Sequence, residues 1–259
     1  VNSTHPEDFE QAIRENTRAI YIETPSNPLL RIIDLEEMAR LAKSNNILSI
    51  IDNTFASPIN QNPIDWWFDI VFPSATKYLN GHSDVTAGAV ISTRDKINRI
   101  WETARNLGGS LNAQICHLLE RSLKTLHIRV KTQNENALQI AQFLEDHRGI
   151  KKVWYPGLES HVGHATAKKQ MKGFGGMLSF EPENKNIIEL QKRLELIRPA
   201  VSLGGIDTTI TSPVMTSHKS LSQEEREKQG ISDSLLRLSV GIENPDDLIY
   251  DLKQALESL

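Results

Sequence analysis

One lysine directly follows a segment that has the composition of a buried strand. Lys77 lies in the string "SATKYLNGHSD", residues 74–84, shortly after the apolar string "FDIVF". A lysine in this place is either a solvated surface residue or a reactive amine. Its neighbours Ser74 and Thr76 carry hydroxyl groups that can bind an anion beside the amine.

Polar residues follow apolar segments in the same way at two other places. Asn27 comes after "YIET", and Asp52 comes after "ILSII". In an open parallel sheet, ligands bind beyond the carboxyl ends of the strands. Three such strand ends would present an amide, a carboxylate and an amine to one small ligand.

This set meets the chemical requirements of pyridoxal phosphate. Its aldehyde forms a Schiff base with a lysine amine. Its ring nitrogen stays protonated beside a buried carboxylate. Its phosphate binds hydroxyl and backbone N–H donors, which Ser74 and Thr76 could supply beside Lys77. Aspartate and lysine also end strands in many other α/β proteins, so the spacing alone leaves both interpretations open.

The surrounding segments alternate between helical and strand-like patterns. The string "DLEEMARLAKSNN" predicts an amphipathic helix in which Asp34 is the N-cap and Glu37 completes the capping pattern. The strings "RAIYIET", "ILSIIDNTF", "FDIVFPSATK" and "TAGAVIST" are nearly continuous apolar runs, as in strands buried on both faces. The alternation predicts an α/β fold with a mostly parallel sheet and helices on both faces.

The second half of the chain has a different pattern. Long helical stretches lie between residues 111 and 147, and the strand-like strings "KKVWYPG", "GGMLSFEP" and "LLRLSVGIE" follow. This order predicts a smaller α+β domain. We therefore expect residues 1–125 to belong to the ligand-binding domain and residues 126–259 to form the C-terminal domain.

Composition excludes several classes of partner. The 259 residues are 39% hydrophobic and 24% charged, and the net charge of −4 favours neither nucleic acid nor an anionic membrane as a partner. No apolar run approaches the roughly 20 residues of a membrane helix. The single cysteine, Cys116, excludes an intrachain disulfide and is typical of a cytoplasmic protein. Cys116 lies on a mostly apolar helical stretch, which predicts that its side chain is in the core. The string "HVGH", residues 161–164, is expected to form an exposed loop and not a metal site.

Longer strings resemble one enzyme family in the same order along the chain. They are "ETPSNPLLRIIDLEEMARLAK", "DNTFASP", "SATKYLNGHSDVTAGAV", "GFGGMLSF", "SLGG" and "LLRLSVGIE". They resemble the Cys/Met-metabolism, or trans-sulfuration, family of pyridoxal-phosphate enzymes. This family includes cystathionine γ-synthase, cystathionine γ- and β-lyases, methionine γ-lyase and O-acylhomoserine sulfhydrylases. The resemblance implies the fold-type I architecture and a homotetramer of dimers that share active sites.

The resemblance also implies roles for the residues at the strand ends. Lys77 looks like the lysine that binds the cofactor aldehyde and moves protons between substrate carbons. Asp52 looks like the partner of the ring nitrogen, and Asn27 looks like the contact of the ring hydroxyl. Ser74 and Thr76 look like phosphate contacts. A solvated lysine, a turn asparagine and turn-forming hydroxyl residues are the ordinary alternatives.

Three residues of the C-terminal half look like substrate contacts. Arg237, in "LLRLSVG", resembles the arginine that binds the substrate α-carboxylate, a task suited to a bidentate guanidinium. Ser202, in "SLGG", resembles a residue that helps to place that carboxylate and the lysine. Asp207 stands where γ-acting cystathionine enzymes more often have glutamate, and its carboxylate could receive the distal amino group of cystathionine. It could equally be a solvated loop residue.

The implied reaction is γ-elimination or γ-replacement on a small-molecule sulfur amino acid or homoserine ester. Asp207 and the loop "TSPVMTSHKSLSQEER" favour the cystathionine γ-synthase and γ-lyase types. Cystathionine β-lyase, methionine γ-lyase and sulfhydrylase chemistry stay open. The usual N-terminal third of the family has no counterpart before residue 1. A catalytically incomplete fragment or subunit that needs this segment is therefore the alternative interpretation.

Overall fold

The computed structural model describes residues 1–258, which contain two β-sheets. The strands are β1 (Ala19–Glu23), β2 (Leu48–Asp52), β3 (Ile70–Val71), β4 (Ile91–Ser92), β5 (Ile150–Trp154), β6 (Met177–Pro182), β7 (Arg198–Pro199), β8 (Thr209–Thr211) and β9 (Leu236–Ser239). The first sheet has the order β1-β2-β3-β4, and the second has the order β5-β6-β9-β8-β7.

Helices connect and cover these strands. They are α1 (Pro6–Ala12), α2 (Leu35–Ser44), α3 (Ser57–Asn60), α4 (Arg94–Leu107), α5 (Ala113–Leu123), α6 (Leu126–Asp146), α7 (His164–Gln170), α8 (Ile187–Arg193), α9 (Gln223–Lys228) and α10 (Pro245–Glu257). Short 3₁₀ turns lie at Pro63–Trp66 and Pro213–Met215. Among the described residues, no helix combines the length and apolar character that a membrane span requires.

Helix α2 forms where the capping pattern predicts it. The carboxylate of Asp34 accepts the backbone N–H of Glu37 at 3.0 Å, which satisfies one free donor of the first turn. Leu35 and Met38 on its apolar face are almost fully buried. They pack in one cluster with Ile51 of β2, so α2 covers the first sheet.

The predicted parallel sheet is confirmed for β1, β2 and β3, and the α/β fold with it. The predicted strand "TAGAVIST" is mostly wrong, because only Ile91–Ser92 is a strand and it runs antiparallel to β3. The reason lies in the preceding residues. Ala87 bonds to the backbone of Thr76, and Gly88 forms an isolated bridge with Ser74. These residues therefore pair with the segment around Lys77 and do not extend β4.

The second sheet is mainly antiparallel, and all six residues of its strand β6 are buried. Leu178 and Phe180 lie in one core cluster with Ile140 of α6, Leu190 of α8 and Leu252 of α10. This region therefore has the predicted α+β character. Helix α6 begins directly at the predicted domain boundary, and that division stays a prediction.

One buried arginine connects α6 to the segment after Lys77. Arg129 donates from Nη1 to the carbonyl of Tyr78 at 2.9 Å and from Nη2 to those of Leu79 and Ser122 at 3.3 and 3.0 Å. Its side chain is 4% exposed. The carbonyls of Tyr78 and Leu79 would lose this donor without it, while that of Ser122 also accepts from Thr125. Arg129 therefore helps to fix the backbone beside the candidate lysine.

Replacement of Arg129 by methionine should lower the free energy of unfolding by about 2–4 kcal/mol, because the carbonyls of Tyr78 and Leu79 lose their donor and α6 loses its bond to the Ser122 carbonyl of α5. Urea unfolding, followed by circular dichroism, measures the change. Arg121→Met is the matched control, since Arg121 is exposed on the neighbouring helix and should change stability by about 0.5 kcal/mol or less. Equal midpoints for the two variants would contradict this role of Arg129.

Two expectations about single residues are wrong. Cys116 is exposed and not in the core, because α5 buries only Ser122 among the described residues. His161 is 6% exposed and not in an exposed loop. Its Nε2 lies 3.0 Å from the carbonyl oxygen of Leu30, while Nδ1 of His164 lies 2.8 Å from that of Pro156. Both rings therefore serve the packing of the loop before α7.

Candidate active site

The carboxyl ends of the three parallel strands meet at one edge of the first sheet. The parallel register places Glu23, the last residue of β1, opposite Asp52, the last residue of β2. Lys77 follows β3, the next strand in the sheet, by a short loop. These polar groups are far apart in the sequence, but the sheet brings the strand ends that carry them to the same edge.

Lys77 has the properties of a reactive amine. It is half-buried, and its ammonium forms no ion pair or hydrogen bond among residues 1–258. Burial first, and then the positive charge of Arg237, lower the pKa of Lys77. A lowered pKa increases the neutral, nucleophilic fraction of a lysine near neutral pH. Partial burial and the lowered pKa distinguish Lys77 from an ordinary surface lysine.

Asp52 is joined to the loop before Lys77 through a residue that sequence reasoning missed. The carboxylate of Asp52 accepts the backbone N–H of Thr54 at 2.8 Å. The hydroxyl of Thr54 in turn accepts the backbone N–H of Ser74 at 2.8 Å. Thr54 therefore fixes the distance between the end of β2 and the Lys77 loop. The signal was present in "DNTF", where a threonine follows the carboxylate by two residues.

The two predicted phosphate contacts differ in availability. The hydroxyl of Ser74 makes no hydrogen bond within the described chain and is half-buried, so it is free to bind an anion. The hydroxyl of Thr76 accepts the backbone N–H of Ala87 at 3.0 Å and lies 3.2 Å from the Ala87 carbonyl, to which it donates. Thr76 therefore already shapes the loop, and an anion would have to share its hydroxyl with Ala87.

Arg237 reaches this edge from β9 in the second sheet. It is 3% exposed, yet it has no carboxylate partner among the described residues. Its Nη1 donates to Oδ1 of Asn27 at 2.9 Å, and its Nη2 donates to the carbonyl of Val201 at 3.2 Å. Its Nε is buried without a hydrogen-bond partner among residues 1–258. A buried cation with an unused donor is the counterpart of an anionic ligand group.

Burial lowers the pKa of Arg237 to about 10, while Tyr78 and Glu23 oppose the shift. The guanidinium therefore stays charged at neutral pH. It affects a second residue that sequence reasoning missed, His218, which lies in the loop "TSPVMTSHKSLSQEER". Burial first, and then Arg237, lower the pKa of His218. This loop therefore lies within electrostatic range of the candidate site, and a histidine inside it was the available signal.

Asn27 lies between Arg237 and a third missed residue. Its backbone N–H donates to Oε1 of Glu23 at 2.9 Å, while its side-chain oxygen accepts from Arg237. Burial raises the pKa of Glu23 to about 7, and Asp52 adds to the shift. The bond from Asn27 and the charge of Arg237 oppose it. An acidic residue at the end of a buried strand was the sequence signal for Glu23.

The "SLGG" segment contacts the Lys77 segment closely. A Cβ atom on Gly204, whose φ is +72°, would lie 2.8 Å from the backbone nitrogen of Tyr78, so only glycine fits. The preceding Val201 carbonyl binds Arg237, which places the half-buried Ser202 beside these groups along the chain. Asp207 is exposed and makes no ion pair among the described residues. Ser202 therefore lies beside the Val201 contact with Arg237, while the substrate role of Asp207 stays a prediction.

This donor set fits a ligand with several different polar groups. It offers a partly buried amine, a carboxylate held by a backbone N–H, a free hydroxyl and a buried guanidinium with an unused donor. Pyridoxal phosphate has an aldehyde, a ring nitrogen and a phosphate that match the first three groups. The guanidinium remains for the carboxylate of an amino acid. No side chain around the candidate lysine is chemically at odds with this ligand pair.

Comparison with known proteins leads to the same cofactor. A family model described as "Cys/Met metabolism PLP-dependent enzyme" matches residues 1–257. The cystathionine beta-lyase of Lactococcus lactis subsp. cremoris (strain MG1363) is 45% identical over an alignment of 259 residues that covers 99% of this chain and 68% of the relative. The cystathionine gamma-lyase of Bacillus subtilis (strain 168) is 44% identical over an alignment of 261 residues that covers 100% of this chain and 69% of the relative.

A solved structure extends the likeness to the fold. The cystathionine gamma-lyase from Lactobacillus plantarum, complexed with L-serine, matches with a TM-score of 0.96 and 41% identity over 98% of this chain and 68% of that chain. The likeness confirms the fold-type I architecture. Family model, relatives and fold thus agree with the strand-end chemistry, and the chain belongs to the Cys/Met-metabolism family of pyridoxal-phosphate-dependent enzymes.

Proposed function

We propose that the protein is a trans-sulfuration enzyme of the cystathionine γ-synthase and γ-lyase type, acting on the γ-substituent of an amino acid. The observation that carries this proposal is the pairing of Lys77 with Arg237. Arg237 donates to Asn27, which follows β1 at the sheet edge that also carries Lys77, and neither cation forms an ion pair among the described residues. Burial first, and then the positive charge of Arg237, lower the pKa of Lys77. Such a pair suits an amino-acid substrate, whose α-carbon must face an amine while its carboxylate meets a guanidinium.

The residues at the strand ends would hold the cofactor. Lys77 would bind the aldehyde carbon, Asp52 the ring nitrogen and Asn27 the ring hydroxyl. Ser74 would bind the phosphate, and Thr76 would support the same loop through Ala87. When bound, pyridoxal phosphate supplies an electron-withdrawing ring that stabilises the charge left on the α-carbon after proton loss.

Proton transfer is the task of Lys77. The lowered pKa leaves a larger neutral fraction of its amine at neutral pH, so Nζ can accept the α-proton and return a proton to a neighbouring carbon. Arg237 orients the substrate through the α-carboxylate, and Ser202 supports that placement. Asp207 carries an exposed carboxylate without a partner in the described chain, and it would receive the distal ammonium of cystathionine.

We also propose a cytoplasmic homotetramer built from dimers. The single cysteine favours a reducing compartment. The likeness to the family favours the oligomer, because the family resemblance implies active sites that are shared between subunits. Size-exclusion chromatography with light scattering would test the oligomer directly.

Product analysis with L-cystathionine tests the proposed γ-specificity. Cleavage of the bond between sulfur and the γ-carbon yields cysteine, 2-oxobutanoate and ammonia. Cleavage of the bond between sulfur and the β-carbon yields homocysteine, pyruvate and ammonia. We expect the protein with added pyridoxal phosphate to form 2-oxobutanoate in excess over pyruvate by at least about tenfold, a difference of about 1.4 kcal/mol in activation free energy.

Mass spectrometry of the derivatised keto acids distinguishes the two routes in one sample. The control is the same protein without added L-cystathionine, which accounts for keto acids from other sources. Pyruvate and homocysteine as the main products would overturn the γ-assignment and leave the cofactor assignment intact. The relatives include both a beta-lyase and a gamma-lyase, so this measurement decides between them.

A further inference from the structure

Two hydrogen bonds join the carboxyl of Glu23 to the guanidinium of Arg237. Oε1 of Glu23 accepts the backbone N–H of Asn27 at 2.9 Å, and Oδ1 of Asn27 accepts Nη1 of Arg237 at 2.9 Å. We propose that Glu23 is a positioning residue for the substrate, which fixes Asn27 and Arg237 and weakens the binding of a carboxylate when it is ionised. This inference rests on the proposed role of Arg237.

The surroundings of Glu23 make its charge variable in the neutral range. Asp52 faces it from β2, Arg237 from β9 and Tyr21 from β1. Burial, assisted by Asp52, raises its pKa to about 7, while the Asn27 N–H and Arg237 act in the opposite direction. A carboxyl with this pKa is mostly neutral below pH 7 and mostly ionised above it.

Three charged or titratable groups around Glu23 and Arg237 change charge outside this range. The pKa of Arg237 is about 10, so its guanidinium stays charged across the neutral range. Burial, Asp52 and Glu23 raise the pKa of Tyr21, so its hydroxyl stays neutral. Burial and Arg237 lower the pKa of His218, so that ring titrates below the range in which Glu23 does. A change in carboxylate affinity near pH 7 that disappears in Glu23→Gln therefore points to Glu23.

The direction of the effect follows from charge. An ionised Glu23 attracts the same guanidinium that a substrate carboxylate must bind, and it repels that carboxylate. A neutral Glu23 keeps the hydrogen bond from Asn27 without either effect. Affinity for a carboxylate should therefore fall as pH rises through 7. By linkage, carboxylate binding near pH 7 must draw a proton onto Glu23.

Calorimetric titration of the holoenzyme with propionate tests this directly, since propionate has a carboxylate and no amino group. Titrations in two buffers of different ionisation enthalpy give both the Kd and the number of protons taken up. We expect the Kd of propionate to rise about five- to tenfold between about pH 6.5 and 8. We also expect uptake of about half a proton at pH 7.

Glu23→Gln removes the charge and keeps an oxygen that can accept the Asn27 N–H. In this variant we expect a Kd that changes less than about twofold over the same range, with no proton uptake. Glu37→Gln is the matched control, because Glu37 is exposed on α2 and the same charge is lost. The control should behave as the wild type does. The cofactor absorption band, recorded for each sample, verifies equal cofactor content.

Several outcomes would overturn the proposal. Propionate binding to the wild type without proton uptake at pH 7 does so even if Glu23→Gln fails to fold. A Glu23→Gln protein with the wild-type pH dependence does so as well. Arg237→Ala tests the proposed carboxylate site separately from the role of Glu23. If Arg237→Ala binds propionate as tightly as the wild type, the proposed substrate site itself is wrong, whatever Glu23 does.

Discussion

Replacement of Lys77 by alanine should leave a folded protein that cannot bind pyridoxal phosphate covalently and whose kcat is lower by at least about 10,000-fold. The side chain of Lys77 makes no hydrogen bond or ion pair within the described chain, and the backbone bonds of residue 77 do not depend on it, so the fold loses little. The reaction loses both the amine that holds the cofactor and the base that moves the proton. The measurement is the visible spectrum of the protein with added cofactor, followed by turnover of L-cystathionine.

Borohydride reduction and peptide mass mapping make this test specific. In the wild type, the reduced cofactor should be attached to the peptide that contains Lys77. Lys124→Ala is a suitable control, because the Lys124 side chain is 73% exposed and its only ion pair among residues 1–258 is a long one, to Glu120 at 3.8 Å. This control should keep the band and the activity. A Lys77→Ala protein with a reducible band, or a label on other lysines, would refute the assignment.

Replacement of Arg237 by lysine should lower kcat/KM by about 100- to 1,000-fold, while the cofactor still binds. Lysine keeps the charge but cannot offer two parallel N–H donors to a carboxylate. It also cannot reproduce the bonds to Asn27 and Val201 together with a free donor for the substrate. The loss should appear mainly in the affinity for the amino acid.

Two ligands that differ by a carboxylate, measured in two proteins, isolate the contribution of the ligand carboxylate to binding. The Kd values of glycine and methylamine, read from the cofactor absorption band, should differ strongly in the wild type. In Arg237→Lys the difference should shrink, because only glycine has a carboxylate for the guanidinium. Methylamine should bind both proteins alike. An unchanged preference for glycine in the variant would exclude Arg237 as the carboxylate site.

Much of the fold was predictable because its signals are local. The capping pattern at Asp34 and the apolar spacing of α2 depend on residues within one or two turns. The strands β1 and β2 are short apolar runs that stand out from the helices beside them. The predicted strand over residues 86–93 failed for a tertiary reason. Ala87 and Gly88 bond to the Lys77 loop and do not extend β4. The spacing of apolar residues along the chain does not show which distant segment a strand pairs with.

The candidate site was predictable in part. Lys77, Asp52 and Asn27 could be placed at strand ends, because an open parallel sheet collects those ends at one edge. Thr54, Glu23 and His218 were missed, because each acts through a neighbour in space. Arg237 was identified only by family resemblance. Nothing in the local pattern of β9 distinguishes a substrate contact from a structural arginine.

The sequence by itself determined the chemical groups and the strand ends that carry them, since composition and short-range periodicity are properties of the chain. Tertiary structure decided which groups meet. Asn27 and Arg237 are 210 residues apart in the chain and 2.9 Å apart in space. It also decided their charge states, because the pKa of Glu23 depends on its burial and on Asp52 across the sheet. Burial and charge proximity depend on packing between distant segments, which no local pattern of residues specifies.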